Sequence, residues 1–511
     1  MEFDVAVVGG GINGTGIARE AAYRGFRTLL LEKDDIAQAT SSQSTKMIHG
    51  GIRYLETWDF HLVHESLRER WTLLKIAPHL VKPFQIVIPV YKGSVRRPWM
   101  IRLGTLIYDL LAVGRNIGRS RRLRSEEVQA IPGLKKDGLL AAIAYPDAQV
   151  FDARLCLETA LSAQEVGAVV LNYHPVERVT LENGHYRLQG THLRTGAPYN
   201  FSAKSVVNAT GPWTPIFERL TPGHPTKEMV YDRGIHLVVP SLGITEGLAL
   251  MTGDKRLIFV LPWQEHYTLI GTTESKFEGE DFSSVPYSEE EVSYLLDKFN
   301  AFFPERNLTR GEVLYVYSGV RTLIAGHESS LTRLSREAEI NLMPDQGGTA
   351  WMNVYGGKLT SYRRLAEQAI NKLERHVTPS GPAPPRFTAS TPLYGGRELV
   401  DIPPDKNPAF LTPELRDAWR GRYGSNWAEL VDLALAQPKL QEMLLQRFQY
   451  TLADLAYMVT VELAFRLEDL TFRRTKMIYG LTENETRKLS QALEQFLKGQ
   501  DWDSLYGEAA S

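Results

Sequence analysis

The chain has 511 residues, of which 43% are hydrophobic and 23% charged, and its formal net charge at pH 7 is -2. These values are typical of an ordinary globular protein, and the length favours about two or three domains. The near balance of charge gives no support to nucleic-acid binding. A single cysteine, Cys156, excludes an internal disulfide, a CxxC redox centre and a thiolate-bound metal cluster, so no metal site is predicted.

The N-terminal stretch MEFDVAVVGGG lacks the basic region and the cleavage site of a signal peptide. No run of about 18 apolar residues is present, and such a run is what a membrane-spanning helix requires. The nearest candidate, residues 99–113, is too short and contains Arg102 and Asp109. We therefore expect a protein of a reducing compartment that is soluble or lies on a membrane surface.

The first 32 residues have the pattern of a β-α-β unit. Residues 3–8 form a valine-rich run typical of a buried parallel strand, and residues 27–31 form a second one. Between them, the pattern predicts a helix over residues 12–24 that ends at Gly25, a favourable residue after a helix. Glu32 follows the second strand.

The turn of this unit contains the spacing Gly9-x-Gly11-x-x-Gly14, which together with Glu32 matches the full context of a dinucleotide-binding fingerprint. Gly9 permits the turn, Gly11 lets the backbone approach a pyrophosphate, and Gly14 lets the helix pack on the strand. The helix N-terminus, at Ile12 and Asn13, supplies NH groups to the phosphates. Glu32 is predicted to accept hydrogen bonds from a ribose.

Further elements follow along the chain. Residues 59–76 have helical spacing, and residues 169–199 alternate like antiparallel strands around an Asn183-Gly184 turn. Residues 205–208 read as a buried strand, and residues 257–273 as a hairpin.

Toward the C-terminus, residues 358–376 are predicted to be helical. A Pro-rich linker covers residues 379–392, and residues from about 412 onward consist mainly of helix-forming residues.

A second fingerprint is absent, and the strand SVVNATG returns late to the sheet that begins at the N-terminus. Both features favour an FAD-binding flavoprotein. The predicted fold is α/β, with a Rossmann-type FAD-binding domain of the glutathione-reductase and amino-acid-oxidase kind, an antiparallel substrate domain and an all-helical C-terminal domain. The predicted ranges are 1–80, 140–220 and 310–380 for the FAD-binding domain, 81–139 and 221–309 for the substrate domain, 381–395 for the linker and 396–511 for the C-terminal domain.

The chain resembles the aerobic, FAD-dependent glycerol-3-phosphate dehydrogenases. The resemblance rests on the segments GGGINGTGIA, TSSQSTKMIHGGIRYLE, FDARL, VVNATGPW, IGTTE, YSGVR, YGGKLTSYRRLAE and EDLTFRRTK, which occur in the order found in that family. It implies oxidation of sn-glycerol 3-phosphate to dihydroxyacetone phosphate by hydride transfer from C2 to the flavin, with electrons passed to a membrane quinone. The sequence leaves the oligomeric state open, with a homodimer among the alternatives.

The loop TSSQSTKMIHGGIRYLE combines groups that suit a cofactor and a substrate. The hydroxyl side chains and the lysine in its first half are predicted to contact FAD. These residues are Thr40, Ser41, Ser42, Ser44, Thr45 and Lys46. Gly50 and Gly51 would let the backbone pass close to the flavin face. Through the resemblance, Arg53 is predicted to clamp the substrate phosphate, since guanidinium presents a planar fork of donors, with Tyr54 adding a hydroxyl.

The resemblance also indicates the catalytic groups. His49 and His236 are the two candidates for the base, and the sequence leaves the choice between them open. Arg321 is predicted to polarise the C2 oxygen, and Arg336 to bind phosphate, with Arg333 or neither as alternatives.

Gly211 and Gly357 are predicted to contact the cofactor, and Lys358 to act on the flavin or the substrate. Thr360, grouped with the substrate contacts, is alternatively the N-cap of the following helix, whose dipole would stabilise a reduced flavin.

Residues 92–124 contain nine Arg or Lys and one acidic residue, mixed with Trp99 and aliphatic side chains. Such a segment is suited to an anionic membrane surface. With the resemblance, it predicts a cytoplasmic protein held peripherally on the inner face of the cell membrane; a solvated cationic helix is the alternative. Three other functions stay open: an oxidase that uses O2, a flavoenzyme resembling amino-acid oxidases, and a flavin-binding regulator without enzymatic activity.

Overall fold

The computed structural model describes residues 2–220, 227–254, 256–325, 338–344, 348–383, 387–399, 401 and 407–498. The strands are β1 (Glu2–Val8), β2 (Thr28–Leu31), β3 (Met47–Ile48), β4 (Val81–Tyr91), β5 (Arg121–Arg122), β6 (Leu139–Val150), β7 (Val169–Leu171), β8 (Arg178–Glu182), β9 (His185–Thr191), β10 (Pro198–Asn208), β11 (Met229–Pro240), β12 (Gly247–Met251), β13 (Leu257–Trp263), β14 (Tyr267–Gly271), β15 (Ser275–Phe277), β16 (Tyr315–Ile324), β17 (Glu339–Pro344), β18 (Ala350–Tyr355), β19 (Met443–Leu445) and β20 (Tyr450–Thr451).

The α-helices are α1 (Ile12–Tyr23), α2 (Phe60–Ile76), α3 (Pro98–Leu111), α4 (Ser125–Gln129), α5 (Asp152–Gln164), α6 (Thr214–Glu218), α7 (Glu289–Phe302), α8 (Tyr362–Leu373), α9 (Pro413–Tyr423), α10 (Trp427–Ala436), α11 (Leu452–Thr460) and α12 (Glu483–Lys498). Short 3-10 turns lie at Thr40–Ser42, Ile52–Thr57, Gly211–Trp213 and Met477–Tyr479, and a π-helix at Asp469–Arg474. Within the described part of the chain, no helix is both long and apolar enough to cross a bilayer.

The first sheet has the order β17-β18-β10-β1-β2-β7, with β8 and β9 attached to β10. β1 lies in the centre, parallel to both β2 and β10, and its residues from Phe3 to Val8 are buried. Helix α1 follows it, and α5 and α8 pack against α1. This is the predicted Rossmann-type unit, and the Asn183-Gly184 turn joins β8 to β9 as predicted.

The second sheet has ten strands and is built mainly from antiparallel pairs. β11 lies near one end of it and pairs with β14, β15 and β16. β6 and β16 also belong to this sheet, although the predicted boundaries assign their residues to the FAD-binding domain. Their long antiparallel pairings, β4 with β6 and β11 with β16, are contacts that sequence order alone does not reveal.

The C-terminal domain is mainly helical, as expected. Its core is formed by buried aromatic side chains, among them Trp419, Tyr423, Trp427 and Tyr450. It also contains the short hairpin of β19 and β20, so the prediction of an all-helical domain was too strict. The pattern failed here because each strand is too short for alternation to be visible.

Candidate functional site

A cavity of about 1870 Å³ is lined by residues of both sheets and their loops. Its wall includes the fingerprint turn, the loop after β2, one end of β11 and β16, and the turn before α8. The first and the last of these segments are 343 residues apart in sequence, measured from Asn13 to Gly356. The cavity brings together most of the predicted site residues: Gly9, Gly11, Ile12, Asn13, Glu32, Thr40, Ser41, Ser44, Thr45, His49, Gly51, Arg53, Tyr54, Gly211, His236, Arg321, Gly357, Lys358 and Thr360.

The fingerprint glycines are required by close backbone packing. Gly9 has φ +111°, and a Cβ atom there would lie 2.5 Å from the carbonyl oxygen of Ala209. A Cβ atom at Gly14 would lie 1.9 Å from the carbonyl oxygen of Gly9. Gly14 does not line the cavity and instead lets α1 approach the turn, which is the packing role that the sequence predicts.

The N-terminus of α1 faces the cavity and is tied to two other loops. Ser41 Oγ accepts a hydrogen bond from the backbone N of Ile12 at 2.9 Å. The Asn13 side-chain amide donates to the carbonyl oxygen of Gly356 at 2.9 Å. The helix end that would bind phosphates is therefore fixed relative to the turn before α8.

Glu32 is 8% exposed and lines the cavity at the end of β2. Its two carboxylate oxygens accept hydrogen bonds from the backbone N of Gly10, at 2.6 Å, and of Asp34, at 2.9 Å. Burial raises the pKa of Glu32. The carboxylate thus holds the fingerprint turn, and its contact with a ribose stays a prediction.

Three residues near this end of the cavity were missed by the sequence reasoning. Lys33 Nζ lies 3.7 Å from the ring centroid of Trp213, and both line the cavity with His174. A flat aromatic ring under a cation suits a heteroaromatic base of a dinucleotide. The VVNATGPW segment contains Trp213, so its position two residues after Gly211 was the available signal.

The loop after β2 divides into residues that face the cavity and residues that face away. Thr40, Ser41, Ser44 and Thr45 line it, with Thr40 Oγ1 donating to the carbonyl oxygen of Val320 at 2.8 Å. Ser42 and Lys46 do not line it. Lys46 is 0% exposed, and its Nζ atom forms an ion pair with Asp152 at 2.7 Å. Any effect of Lys46 on the cofactor would therefore be indirect.

The two glycines after His49 have different surroundings. Gly50 does not line the cavity. Its backbone N donates a hydrogen bond to the hydroxyl of Tyr108 at 2.8 Å. Gly51 lines it, in the left-handed conformation with φ +72°. The predicted passage of the backbone along a flavin face therefore finds support in the position of Gly51 and not of Gly50.

The substrate-side residues cluster beyond this turn. Arg53 is exposed to the cavity and Tyr54 lies beside it. Lys358 Nζ is 4.0 Å from the ring centroid of Tyr54. Thr360 Oγ1 is hydrogen bonded to the backbone N of His49 at 3.2 Å.

The helix that was predicted from residue 358 begins as α8 at Tyr362. Gly356 and Gly357 have positive φ, and the residue preceding α8 is Ser361 rather than Thr360. The N-terminal end of the helix nevertheless adjoins the cavity, because residues 356–360 line it.

His236 lies on β11 and is 4% exposed. Its Nε2 atom is 3.0 Å from Thr45 Oγ1, and its ring is parallel to that of Tyr317 with centroids 4.8 Å apart. Burial, together with the positive charges of Lys46 and Arg321, lowers the pKa of His236 to about 3. At neutral pH the ring is therefore uncharged.

Arg321 lies on β16, opposite Asp232 of β11 in the pairing register. Its Nε atom is 3.1 Å from Asp232 Oδ2, one of its Nη atoms donates to the carbonyl oxygen of Thr273 at 3.2 Å, and Glu274 lies 3.9 Å away. The guanidinium is thereby held at the cavity with its side chain 31% exposed. Arg336 and its alternative Arg333 lie outside the described residues.

The cavity suits the predicted flavin dinucleotide. Two buried polar atoms at its wall, Asn13 Oδ1 and His236 Nδ1, have no hydrogen-bond partner among the described residues. The glycine turn leaves room for a pyrophosphate, and the α1 N-terminus offers NH groups beside it. Among the described residues, no cluster of side chains suitable for a metal ion is found.

Comparisons with known proteins agree with this geometry. The family described as FAD dependent oxidoreductase matches residues 4–363, and the C-terminal domain of alpha-glycerophosphate oxidase matches residues 386–505. The chain is 36% identical over 501 residues to the aerobic glycerol-3-phosphate dehydrogenase of Escherichia coli (strain K12), covering 96% of this chain and 97% of that one. It is also 35% identical to the D-erythritol 1-phosphate dehydrogenase of Brucella abortus (strain 2308). That match covers 94% of this chain and 96% of the relative.

Among solved structures, the glycerol-3-phosphate dehydrogenase of Bacillus halodurans complexed with FAD superimposes with a TM-score of 0.71 and 26% identity. The match covers 97% of this chain and 95% of that one. The predicted fold class and the predicted cofactor, FAD, are thereby confirmed.

Proposed function

The chain belongs to the family of FAD-dependent glycerol-3-phosphate dehydrogenases, and we propose that it oxidises sn-glycerol 3-phosphate to dihydroxyacetone phosphate. One observation carries the proposal. The cavity brings a buried neutral histidine and three cationic side chains, Arg53, Arg321 and Lys358, next to the dinucleotide fingerprint. A neutral base beside several cations suits a dianionic alcohol that must lose a proton.

Substrate binding falls to the cations. Arg53 and Lys358 both line the cavity beside Tyr54, where they would hold the phosphate. Arg321 would donate to the C2 oxygen and stabilise the negative charge that develops there as the proton leaves. Its ion pair with Asp232 limits the directions in which its remaining donors can point.

His236 is the base that we propose. Its ring is held on two sides, by Thr45 and by Tyr317, whereas Nδ1 has no partner among the described residues. The proton from the C2 hydroxyl would pass to a ring nitrogen of this histidine. FAD, when bound, supplies the chemistry that accepts the hydride from C2. Asn13, Ser41 and the N-terminal end of α1 would hold the cofactor.

The experiment is anaerobic reduction of the purified holoenzyme, followed by loss of the flavin band at ~450 nm, a property of the cofactor. We expect sn-glycerol 3-phosphate to reduce the flavin and glycine or proline to leave it oxidised. D-erythritol 1-phosphate tests the alternative polyol phosphate suggested by one relative. Reduction by an amino acid alone would overturn the proposal, and failure of every polyol phosphate would favour a non-enzymatic flavoprotein.

The matched pair His236→Gln and His49→Gln tests the base. General-base catalysis typically contributes about 10²–10⁴-fold in rate. We expect a loss of that size for His236→Gln and a smaller one for His49→Gln, with FAD still bound in both. The reverse order would assign the base to His49.

We further propose that the reduced flavin passes its electrons to a membrane quinone. The protein would be associated peripherally with the inner face of the cell membrane. Helix α3 supports this, because its apolar side chains are exposed; Trp99 is 63% and Leu110 68% exposed. Trp58, 77% exposed, lies beside the cavity mouth, where the turn Ile52–Thr57 contacts α3. Exposed arginines precede and follow α3 in the sequence, among them Arg97 and Arg119, and cations beside an apolar face suit anionic lipid headgroups.

An oxidase that reduces O2 is the second candidate, favoured by the match of residues 386–505 to a domain of alpha-glycerophosphate oxidase. Measuring oxygen uptake against reduction of a soluble quinone analogue, with the same substrate, distinguishes the two. Stoichiometric hydrogen peroxide at a rate above that of the quinone analogue would identify the oxidase.

A further inference from the structure

None of the described residues after Thr360 lines the cavity, yet one segment of the C-terminal domain contacts the structures that form its wall. This segment, Arg473–Tyr479, is named here the C-terminal clamp. It leads from the π-helix Asp469–Arg474 into the 3-10 turn Met477–Tyr479. Its charged and aromatic side chains are buried against residues that precede β3 and against the second sheet.

The clamp holds the loop between β2 and β3, residues 33–46, at a first point near Glu32. Arg474 donates two hydrogen bonds to Asp35, at 2.6 and 2.8 Å, in a bidentate pair. Arg473 Nε donates to the same carboxylate at 2.5 Å. Asp35 is 0% exposed, and the positive charges of the two arginines keep its pKa low against the effect of burial. This pairing fixes the start of the loop, three residues after Glu32.

A second point of contact lies at Ser42. Lys476, 0% exposed, donates to the carbonyl oxygen of Ser42 at 2.9 Å, and Lys46 donates to the same oxygen at 3.0 Å. Lys46 also pairs with Asp152, whereas Lys476 forms no ion pair within the described residues. Its Nζ atom instead lies 3.6 Å from the ring centroid of Phe472. Burial and the charge of Lys46 lower the pKa of Lys476 well below its ordinary value.

A third contact is aromatic. The ring of Tyr479 is nearly parallel to that of Tyr317, with centroids 6.3 Å apart and an interplanar angle of 11°. Tyr317 is in turn nearly parallel to His236, at 4.8 Å and 8°. The Tyr317 hydroxyl donates to the carbonyl oxygen of Ser44 at 3.1 Å. The three rings therefore form a column that runs from the C-terminal domain to the histidine in the cavity.

We infer that the C-terminal clamp is a positioning element for the reaction, because it fixes the 33–46 loop at two points and supports the ring of His236 through Tyr317. Lys476 and Tyr479 act through other residues and are positioning residues. The inference rests on the proposed role of His236. The C-terminal domain would thus take part in the reaction although none of its described residues lines the cavity.

The physical argument is the sensitivity of a proton and hydride transfer to geometry. A displacement of about 1 Å at a reacting group can cost about 10²-fold in rate. Thr45 is hydrogen bonded to His236 and lies between Ser42 and Lys46, so a shift of the Ser42 carbonyl moves a direct partner of the ring. Tyr479 supports the ring of Tyr317, which is the other neighbour that orients the histidine.

Two variants test the inference, Lys476→Met and Tyr479→Leu. The first replaces a buried amino group, whose charged form burial disfavours, by an apolar side chain of similar length, so the fold should be retained. We expect each variant to lower the rate constant of anaerobic flavin reduction by about 10–100-fold, with the substrate affinity and the bound FAD per chain unchanged. Tyr479→Phe, which keeps the ring, should restore the rate.

The matched control is Tyr450→Leu, the same change at a buried tyrosine of the C-terminal core whose hydroxyl contacts Met458. It should lower the unfolding temperature without changing the reduction rate per bound flavin. A second readout is the pH dependence of the reduction rate, which should change for Tyr479→Leu and not for Tyr450→Leu. The groups that face His236 and would contribute are Thr45, Lys46, Asp152, Tyr317 and Arg321.

Equal rates for the wild type, Lys476→Met and Tyr479→Leu would overturn the inference, as would equal losses in Tyr479→Leu and Tyr450→Leu. His236→Gln separates this failure from a failure of the proposed function. If His236→Gln abolishes reduction while the clamp variants are normal, the inference alone is wrong. If His236→Gln is itself normal, the proposed base is wrong.

Discussion

Two helices of similar length, α1 and α3, are used in opposite ways. In α1, with 12 residues, every residue except Asn13 is buried. In α3, with 14 residues and a more apolar composition, the buried residues are Thr105 and Tyr108. The helix with more polar residues lies in the interior, where its glycines Gly14 and Gly16 allow close packing against the turn after β1 and against Tyr362 of α8. The more apolar helix is exposed among the described residues, and an exposed apolar surface of this kind is typical of a face that binds a partner or a membrane.

The largest effect is expected on FAD affinity, from substitution of a glycine in α1 compared with a glycine in α3. Gly14→Ala places a Cβ atom 1.9 Å from the carbonyl oxygen of Gly9, which forces α1 away from the turn. Overpacking of this kind costs about 1–3 kcal/mol or more, and we expect at least a tenfold loss of FAD affinity, measured by fluorescence titration of the apoprotein.

Gly104→Ala in α3 is the matched control. A Cβ atom there meets nothing within 4 Å among the described residues. We expect FAD affinity to be unchanged and the helix to be stabilised by about 1 kcal/mol, since glycine is a poor helix former. Equal FAD affinities in the two variants would show that α1 does not need its close approach.

A second prediction concerns the exposed face of α3. Leu103→Glu combined with Leu110→Glu should abolish binding to vesicles that contain anionic lipid, because each side chain would contribute about 1.5–3 kcal/mol when buried in a membrane. Reduction of the flavin by a soluble substrate should stay normal. Binding is measured by vesicle flotation.

The control for this surface is Leu181→Glu on β8, which changes a leucine away from α3 that is as exposed as Leu103, 49% in both. It should leave vesicle binding intact. If it abolishes binding as strongly as the α3 variant, the membrane surface lies elsewhere.

A smaller effect is expected from salt. Raising the ionic strength from about 0.1 to 1 M shortens the screening length from about 10 to 3 Å. The arginines around α3 should then attract anionic vesicles less, and part of the protein should be released in a sedimentation assay. FAD in the interior should be retained. Complete insensitivity to salt would leave the apolar side chains as the sole source of attachment.

The smallest effect concerns pH. His174 and His192 are stacked with ring centroids 4.4 Å apart, and the backbone N of His174 donates to the carbonyl oxygen of Glu32. Burial lowers the pKa of His174, and burial with nearby positive charge lowers that of His192 to about 4. The folded state therefore disfavours protonation, and the stability that these groups contribute is present in full above pH ~6.5, their ordinary pKa.

We expect the unfolding temperature to fall as pH decreases from about 6.5 toward 4, and His192→Gln to flatten this dependence. Differential scanning fluorimetry across that range measures it. If the unfolding temperature of His192→Gln depends on pH as that of the wild type does, His192 does not cause this dependence. The surface of α3 offers no corresponding buried histidine among the described residues, so vesicle binding should not follow this curve.

Much of the site could be predicted because its signals are local. The glycine spacing after a buried strand, with Glu32 at the end of the next strand, specifies a dinucleotide site through the conformation of a few neighbouring residues. The motif IHGGIRYLE likewise located Arg53 and Tyr54, which both line the cavity. In each case the residues that meet in space are also close in sequence.

Predictions about side-chain direction were less successful. Lys46 was expected at the cofactor, and it pairs instead with Asp152, 106 residues away. Gly50 was expected at the flavin face, and its backbone is bonded to Tyr108. A loop has no periodicity, so neighbouring residues can face opposite ways, and only the partner on another element decides which.

By itself, the sequence determined the type of cofactor site, the β-α-β unit that forms it and the apolar and basic character of α3. These follow from local conformational preferences and from periodicity. The tertiary structure decided which histidine meets Thr45, which loop residues face the cavity, and that Asp35 and Ser42 are held by Arg474 and Lys476. Those partners are separated in sequence by 191 to 439 residues. Hydrogen bonds between residues so far apart in the chain depend on how whole domains pack.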